Sequence, residues 1–122
     1  MADGPMAPGD PSPGADPLEP LDPDLTIFAL ANGMDLARER GGASCRALEW
    51  FREGLERVIR IEFDGGAASI WVGARRGRRS EPGEARRELR GRVPLPELKE
   101  GLRPIMNEAL DAANALDETD LA

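Results

Sequence analysis

Two runs of alternating apolar and polar residues meet at a pair of glycines, and this feature limits the fold more than any other. Residues 59–63 and 68–72 each place an apolar side chain at every second position, and Gly65-Gly66 lies between them. A period of two is typical of a strand with one buried face. A two-residue Gly-Gly connection is typical of a β-hairpin. The sequence therefore predicts an antiparallel hairpin in which Asp64 pairs with Ala67.

This pairing also determines which residues share the opposite face of the hairpin. The apolar residues of the two strands lie opposite one another, as antiparallel geometry requires. On the other face Arg60 lies opposite Trp71, and Arg75, Arg90 and Arg92 have the same strand parity. An arginine over an indole ring gains roughly 0.5–1 kcal/mol at an exposed site. This second face is therefore a candidate binding surface.

Two helices are predicted on the N-terminal side of the hairpin. The first predicted helix covers residues 25–40 and ends at Gly41-Gly42, although Asn32-Gly33 within it could split it. A second helix is predicted over residues 44–56, because apolar side chains recur there at i, i+3 and i+7. These side chains are Leu48, Phe51 and Leu55.

One more strand and one more helix are predicted after the hairpin. Leu89 and Val93 are spaced as in a strand and predict a third, antiparallel strand. A final helix is predicted from Leu95, with Pro96 in its first turn. Pro104 lies inside its apolar pattern, so a kink or a later helix start is expected there.

The expected fold is α+β, with two N-terminal helices, a three-stranded antiparallel meander and a C-terminal helix packed on the apolar sheet face. The 122 residues suit one domain, which we assign to residues 24–116. Residues 1–23 hold seven of the eleven prolines, five acids and no basic residue, which predicts a disordered acidic arm. Residues 117–122 are predicted to form an acidic tail that frays.

Several global properties predict a cytoplasmic homodimer. The sequence shows neither a secretory signal nor an apolar run of the roughly 20 residues that a membrane helix needs. A lone Cys45 fits a reducing compartment. The bias toward Ala, Arg, Gly and Pro is typical of a high-GC bacterial coding background. The exposed edges of a three-stranded sheet favour pairing with a second copy, through an edge or through the helices.

Arginine is concentrated in one segment of an otherwise acidic chain. Eight of the eighteen residues 75–92 are arginine, whereas the net charge of the chain is −7. The arginine pairs Arg75-Arg76, Arg78-Arg79 and Arg86-Arg87 could form a loop that tracks phosphates. Three glutamates reduce the charge of residues 75–92 to +5 (8 − 3), and the pI of about 4.7 opposes a nucleic-acid role. The alternatives are a solvated hairpin loop and masking by the acidic arm and tail.

Two tryptophans and the cysteine each allow more than one interpretation. Trp71 among arginines is typical of a single-stranded nucleic-acid site, of a protein contact, or of a solvated sheet face. Trp50 lies beside Phe51, which belongs to the predicted core stripe, and is therefore either an interface residue or a boundary residue packed on the first helix. Cys45 is interpreted as a small buried residue near a helix start.

The residue inventory disfavours catalysis. The chain has no histidine, only one cysteine and no phosphate-binding glycine loop, so we expect no enzyme activity, no metal and no cofactor. The expected function is that of a small non-catalytic adaptor that binds a partner protein through a basic sheet face and the arginine-rich loop. The residues predicted to bind the partner are Arg60, Trp71, Arg75, Arg76, Arg78, Arg79, Arg90, Arg92 and Trp50.

Two alternatives of different class remain beside the adaptor. One is a nucleic-acid-binding dimer that uses Trp71 and the arginines, since the predicted order of elements is similar to that of small nucleoid-associated DNA-binding dimers. The other is a secretion-type chaperone, because small acidic α/β dimers carry out that function. No membrane partner is expected.

Overall fold

A computed structural model describes residues 17–39, 44–76 and 84–121. Its strands form a single antiparallel sheet in chain order, from β1 at one edge to β5 at the other. Short 3-10 helices lie at Glu19–Leu21 and Glu118–Asp120. The longer elements are α1 (Asp22–Asn32), β1 (Asp35–Glu39), β2 (Ser44–Arg52), β3 (Leu55–Asp64), β4 (Ala67–Arg76), β5 (Glu84–Pro94), α2 (Leu95–Glu100) and α3 (Leu102–Ala115).

The predicted hairpin is confirmed in its register. Asp64 pairs with Ala67, and Arg60 pairs with Trp71, so that β3 and β4 face each other along their whole length. Gly65 and Gly66 have φ angles of 63° and 86°. Positive φ at both central residues defines the tight turn whose twist suits a hairpin, and glycine adopts it without a steric penalty.

The predicted fold class is wrong in its element count, although the protein is α+β. The structure has five strands instead of three, one N-terminal helix instead of two, and two C-terminal helices instead of one. The main error lies at residues 44–56, which form β2 and the start of β3 rather than a helix. Glu53 and Gly54 connect these strands with φ angles of 54° and 79°. Both are left-handed, so this second turn has the same geometry as the Gly65-Gly66 turn.

The first helix is shorter than predicted and begins earlier. Gly33, with φ of 66°, is the C-cap of α1, and its N–H donates to the carbonyl of Ala29. The Asn32-Gly33 pair therefore ends the helix, as a left-handed glycine commonly does. Residues 35–39, which were predicted to continue the helix, form β1. The predicted stop at Gly41-Gly42 lies outside the described residues.

The C-terminal segment divides at Gly101 into α2 and α3. Pro104 is the third residue of α3, so its missing N–H falls among those that have no intrahelical acceptor in any helix. The first bond of α3 runs from the N–H of Ile105 to the carbonyl of Gly101 at 3.1 Å. A later start thus accommodates Pro104, which is one of the two outcomes predicted for it.

The helices form one layer on one side of the sheet. Helix α3 packs on β3 and β4, and α1 and α2 both contact α3. The core between the layers consists almost wholly of aliphatic side chains, with the fully buried ones contributed by both layers. They are Leu18, Leu21, Leu25, Leu48, Ile59, Ile61, Ala68, Ile70, Leu98, Ala109 and Ala113. In the part of the chain that the structure describes, no helix is long and apolar enough to cross a membrane.

The predicted boundaries of the domain stay predictions, and residues 1–16 of the acidic arm lie outside the described residues. Within residues 17–23, however, Leu18 and Leu21 have no exposed surface and belong to the core. In the tail, the N–H of Thr119 donates to Asp117 at 3.0 Å. The pKa of Asp117 is lowered, chiefly by the hydrogen bonds it accepts from Thr119.

Replacing Leu18 with alanine is expected to lower the free energy of unfolding by about 2–3 kcal/mol, because a buried leucine loses its apolar contacts and leaves a cavity. Asp111→Ala, at an exposed position of α3, is the control and should cost less than about 0.5 kcal/mol. Urea denaturation followed by tryptophan fluorescence measures both. Equal midpoints for the two variants would show that the core does not extend to Leu18.

Candidate functional site

The side of the sheet that faces away from the helices is the candidate site, and we call it the outer face. The alternation of side chains along each strand and the pairing registers determine which residues lie on this face. None of the described helices covers it. Its members are Asp35 and Ala37 of β1; Cys45, Ala47, Glu49 and Phe51 of β2; Glu56, Val58, Arg60, Glu62 and Asp64 of β3; Ala67, Ser69, Trp71, Gly73 and Arg75 of β4; and Glu84, Arg86 and Glu88 of β5.

Trp71 is half-buried near the middle of this face, and an arginine covers its ring. The guanidinium carbon of Arg86 lies 4.4 Å from the ring centroid, which is within cation–π distance. The predicted partner Arg60 is opposite Trp71 in the register but contacts other groups. Arg86 pairs with Gly73, two residues along β4, and is thus a diagonal neighbour of Trp71 within reach of a long side chain.

Gly73 keeps the strands close beside the stacked pair. A Cβ at this position would lie 3.0 Å from the backbone oxygen of Ala85 and 3.3 Å from Cγ1 of Val58. The strand at Gly73 therefore has no room for a side chain between its neighbours. This explains a glycine in the middle of a long strand, where glycine is otherwise unfavourable.

Glu62 connects the arginine on Trp71 to Arg60. Its Oε2 accepts from Nη2 of Arg86 at 3.4 Å and from Nε of Arg60 at 3.2 Å. Arg60 also donates from Nη2 to the Sγ of Cys45 at 3.4 Å. We call these five residues the Trp71 cluster. Glu62 restrains both guanidinium groups, and the Trp71 ring also restrains that of Arg86. The side chains of these arginines therefore lose less conformational entropy when a partner binds.

A second group of charges lies beside the Trp71 cluster. Nε of Arg75 donates to Oε1 of Glu56 at 2.7 Å. The pKa of Arg75 is raised, first by this hydrogen bond and then by the negative charges of Glu56, Glu49 and Glu84, while partial burial opposes the rise. These residues line a shallow depression together with Val58 and Arg60.

The outer face carries more negative than positive charge. Its described members include seven carboxylates and three guanidinium groups, those of Arg60, Arg75 and Arg86, and each of the three contacts a glutamate. The face was expected to be basic. Glu49 and Glu56 were hidden by the helix predicted for residues 44–56. Glu62 already had the parity of Arg60 in the predicted hairpin, so only part of the negative charge could be found from the sequence.

One predicted site arginine, Arg90, leaves the outer face, and Arg92 lies at an irregularity of β5. The β4–β5 register shifts twice, so that Arg90 pairs with inward-facing Ile70, and the original parity returns at Pro94, which pairs with Ala67. Arg90 forms an ion pair with Glu108 of α3, on the helix side. Arg92, with φ of 51°, donates to the carbonyl of Gly65 at 3.3 Å.

The remaining arginines of the predicted site are placed as follows. Arg75 lies on the outer face as predicted. Arg76 is half-buried, pairs with Leu55 at the end of β4, and has the opposite parity. Arg78 and Arg79 lie outside the described residues. Arg86 was predicted only as part of the phosphate-tracking loop, and its position over Trp71 could not be found without the β4–β5 register.

Trp50 and Phe51 exchange the roles predicted for them. In a strand, adjacent residues point to opposite faces, and Trp50 turns toward the helices, where its Nε1 donates to Oδ1 of Asn114 at 3.0 Å. Phe51 lies on the outer face and is 66% exposed. Trp50 therefore connects the sheet to α3, and Phe51 joins the candidate site. Cys45 is buried, as expected, although it lies in a strand.

Two buried arginines that were not predicted as such connect helices to the inner side of the sheet. Arg46 of β2 contacts Asp22 at the start of α1, and Arg57 of β3 donates to carbonyl oxygens at the end of α3. Both expose about 1% of their surface. A signal existed for Arg57, because it has the parity of Ile59 and must therefore lie on the apolar face of the hairpin.

Comparisons with protein-family models, curated proteins and solved structures yield no match to this chain. The function must therefore be inferred from the geometry of its surfaces. The outer face combines a half-buried tryptophan, held guanidinium groups and an exposed phenylalanine. Such a combination offers binding energy and orientation to a partner.

Proposed function

We propose that the protein is a non-catalytic adaptor of the cytoplasm that holds a partner protein against its outer face. The observation that carries the proposal is the Trp71 cluster, which lies on the face of the five-stranded sheet that none of the described helices covers. Tryptophan and arginine are the residues most enriched where binding energy concentrates in protein interfaces. Exposed Phe51 adds apolar area at the same face.

The charge of the outer face indicates the chemistry of the partner. Seven carboxylates against three guanidinium groups favour a partner surface with an excess of lysine or arginine around an apolar centre. Glu49 and Glu84 have no ion pair among the described residues and are therefore available to such cations. Association should weaken as salt concentration rises, because these charges lie near solvent.

A nucleic-acid function has less support. Phosphate binding needs arginines that can exchange counterions for phosphate oxygens, whereas Arg60, Arg75 and Arg86 each contact a glutamate. The arginine on Trp71 also covers one side of the ring on which a base would stack.

The partner is identified by photo-crosslinking from the outer face. A benzophenone amino acid at Phe51 introduces the probe at an exposed aromatic position, and the same probe at exposed Glu97 of α2 is the control. We expect a discrete crosslinked product from position 51 only. Its mass should exceed twice that of the chain, or it should contain a second, different protein. The same species from both positions, or none from position 51, would contradict the proposal.

The crosslinked protein is then purified and titrated against variants of the full chain. Arg86→Ala should weaken binding about tenfold or more, because it removes a hot-spot arginine and uncovers Trp71. Arg87→Ala is the matched control, since Arg87 is an exposed arginine of the same strand whose parity places it on the opposite side of the sheet. Equal affinities for the two variants would remove the Trp71 cluster from the interface.

Nucleic acid is tested separately by fluorescence anisotropy with a single strand and a duplex at roughly 50 and 200 mM salt. We expect flat curves at both salt concentrations. Tight binding that falls steeply with salt and is weakened by Trp71→Ala would replace the adaptor proposal with the nucleic-acid one.

A further inference from the structure

The outward side of α1 is apolar and uncovered among the described residues. Residues 25–31 of this helix contain no charged residue and one polar residue, Thr26. Leu25 and Ala29 are buried, whereas Ile27 and Leu30 are 60% and 78% exposed. A helix that is apolar around its whole circumference is normally covered on all sides. The sheet and α3 cover only one side of α1.

A groove lies next to these exposed residues, between α1 and α3. It has a volume of about 400 Å³. Its floor contains the apolar side chains Phe28, Ala31, Leu102 and Met106, and Ile27 lies at its edge. The groove thus continues the apolar surface of α1, and together they form one patch on the helix layer, which we call the helix-side patch.

The rim of the helix-side patch carries charges of both signs. Asp24 and Glu100 provide two carboxylates, and Lys99 and Arg103 provide two cations. None of these four has an ion pair within residues 17–39, 44–76 and 84–121. A surface with equal numbers of opposite charges can complement itself when a copy is rotated by 180°.

We propose that the occupant of the helix-side patch is a second copy of this chain. In the resulting two-fold dimer the α1 helices lie against each other, and exposed Ile27 and Leu30 of each copy enter the groove of the other. The carboxylates of one rim then meet the cations of the other. An occupant whose charges all have the same sign fits less well. Residues 1–16 hold three acidic residues and no basic one, and would bring negative charge to Asp24 and Glu100.

This dimer leaves the outer faces free, because the patch lies on the helix layer and the outer face on the other side of the sheet. If the proposed function holds, one dimer presents two partner-binding faces that point away from each other. A partner with two sites then gains affinity through the second, intramolecular contact. The dimer itself does not depend on the proposed function.

The test is sedimentation equilibrium of the full chain over roughly 1–100 μM, where a dimer appears as a mass that rises with concentration. Wild type and Phe51→Glu, a substitution on the outer face, should both reach twice the chain mass. Leu30→Glu should remain at the mass of one chain. Because Leu30 is exposed, this variant should keep the circular-dichroism spectrum of the folded protein. A monomeric wild type, or dissociation by Phe51→Glu and not by Leu30→Glu, would overturn the proposal.

Charge exchange at the rim tests the orientation. Lys99→Glu with Arg103→Glu should produce a monomer, since four carboxylates would then face four others. Adding Asp24→Lys and Glu100→Lys restores the complementary pattern and should restore the dimer. A benzophenone probe at Ile27 should join two copies of the chain. A probe at Ile27 that attaches only within one chain, to residues 1–16, would assign the groove to the arm and overturn the dimer.

Discussion

Replacing Asp22 with alanine is expected to lower the free energy of unfolding by about 3–5 kcal/mol, the usual cost of removing one partner from a buried ion pair. Asp22 faces Arg46 with both carboxylate oxygens, at 2.7 Å from Nε and 3.1 Å from Nη2. Arg46 is 1% exposed. Without this carboxylate, a guanidinium group in the core loses its counterion and two hydrogen bonds, and water cannot replace them. Urea denaturation at constant pH measures the loss.

The matched control is Asp111→Ala, which removes an exposed carboxylate from another helix and should change stability by less than about 0.5 kcal/mol. The double variant Asp22→Leu with Arg46→Met tests the cause. It removes both charges and keeps most of the volume, so it should recover much of the loss, because apolar replacements of buried pairs are often neutral. A double variant as unstable as Asp22→Ala would show that shape, and not the unpaired charge, is what matters.

The β3–β4 hairpin could be predicted in full because all its signals are local. Its turn consists of two glycines, which accept the required positive φ, and its flanks alternate without interruption. The turn between β2 and β3 has the same geometry, but Glu53 occupies its first left-handed position. A non-glycine residue with positive φ is uncommon, so a two-residue turn at Glu53-Gly54 was not predicted.

β2 was mistaken for a helix because its burial hides the period of two. Cys45, Arg46, Ala47 and Leu48 are buried in succession, although they alternate between the two faces. Arg46 turns to the helices, and Ala47 is covered among the long side chains of the outer face. When both faces of a strand are covered, alternation disappears. Spacing alone cannot then separate strand from helix.

The candidate site was predicted in part for a related reason. The β3–β4 register places Arg60 opposite Trp71, as expected from the glycine turn. The arginine on the ring comes from β5, whose register depends on long-range pairing and contains an irregularity. A shift of one residue moves the next side chains to the other face, and a second shift restores the parity by Pro94. Hence Arg86 joins the site, whereas Arg90 reaches α3.

Arg57→Met is the second large effect, and it should lower the free energy of unfolding by about 3–4 kcal/mol. Nη1 of Arg57 donates to the carbonyl oxygens of Ala113 and Leu116 at 2.7 and 2.6 Å. A hydrogen bond from a charged donor contributes about 1.5–3 kcal/mol, and Arg57 supplies two. Of the two acceptors, the carbonyl of Ala113 keeps the N–H of Leu116 at 3.3 Å. Helix α3 has no basic residue in its own last turn. Arg57 therefore supplies, from β3, the positive charge that favours a helix C-terminus.

Amide hydrogen exchange distinguishes the loss of the hydrogen bonds of Arg57 from a general loss of packing. Loss of the guanidinium group should expose the amides of residues 113–121 to hydrogen exchange before global unfolding, because these residues are held to the sheet through Arg57. The emission of Trp50 should shift to the red, since Trp50 bonds to Asn114 on the same turn. Arg87→Met, at an exposed arginine of β5, should leave both signals and the urea midpoint unchanged. If Arg57→Met unfolds at the midpoint of Arg87→Met, Arg57 does not hold the end of α3, and the apolar contacts of Ala109 and Ala113 must do so alone.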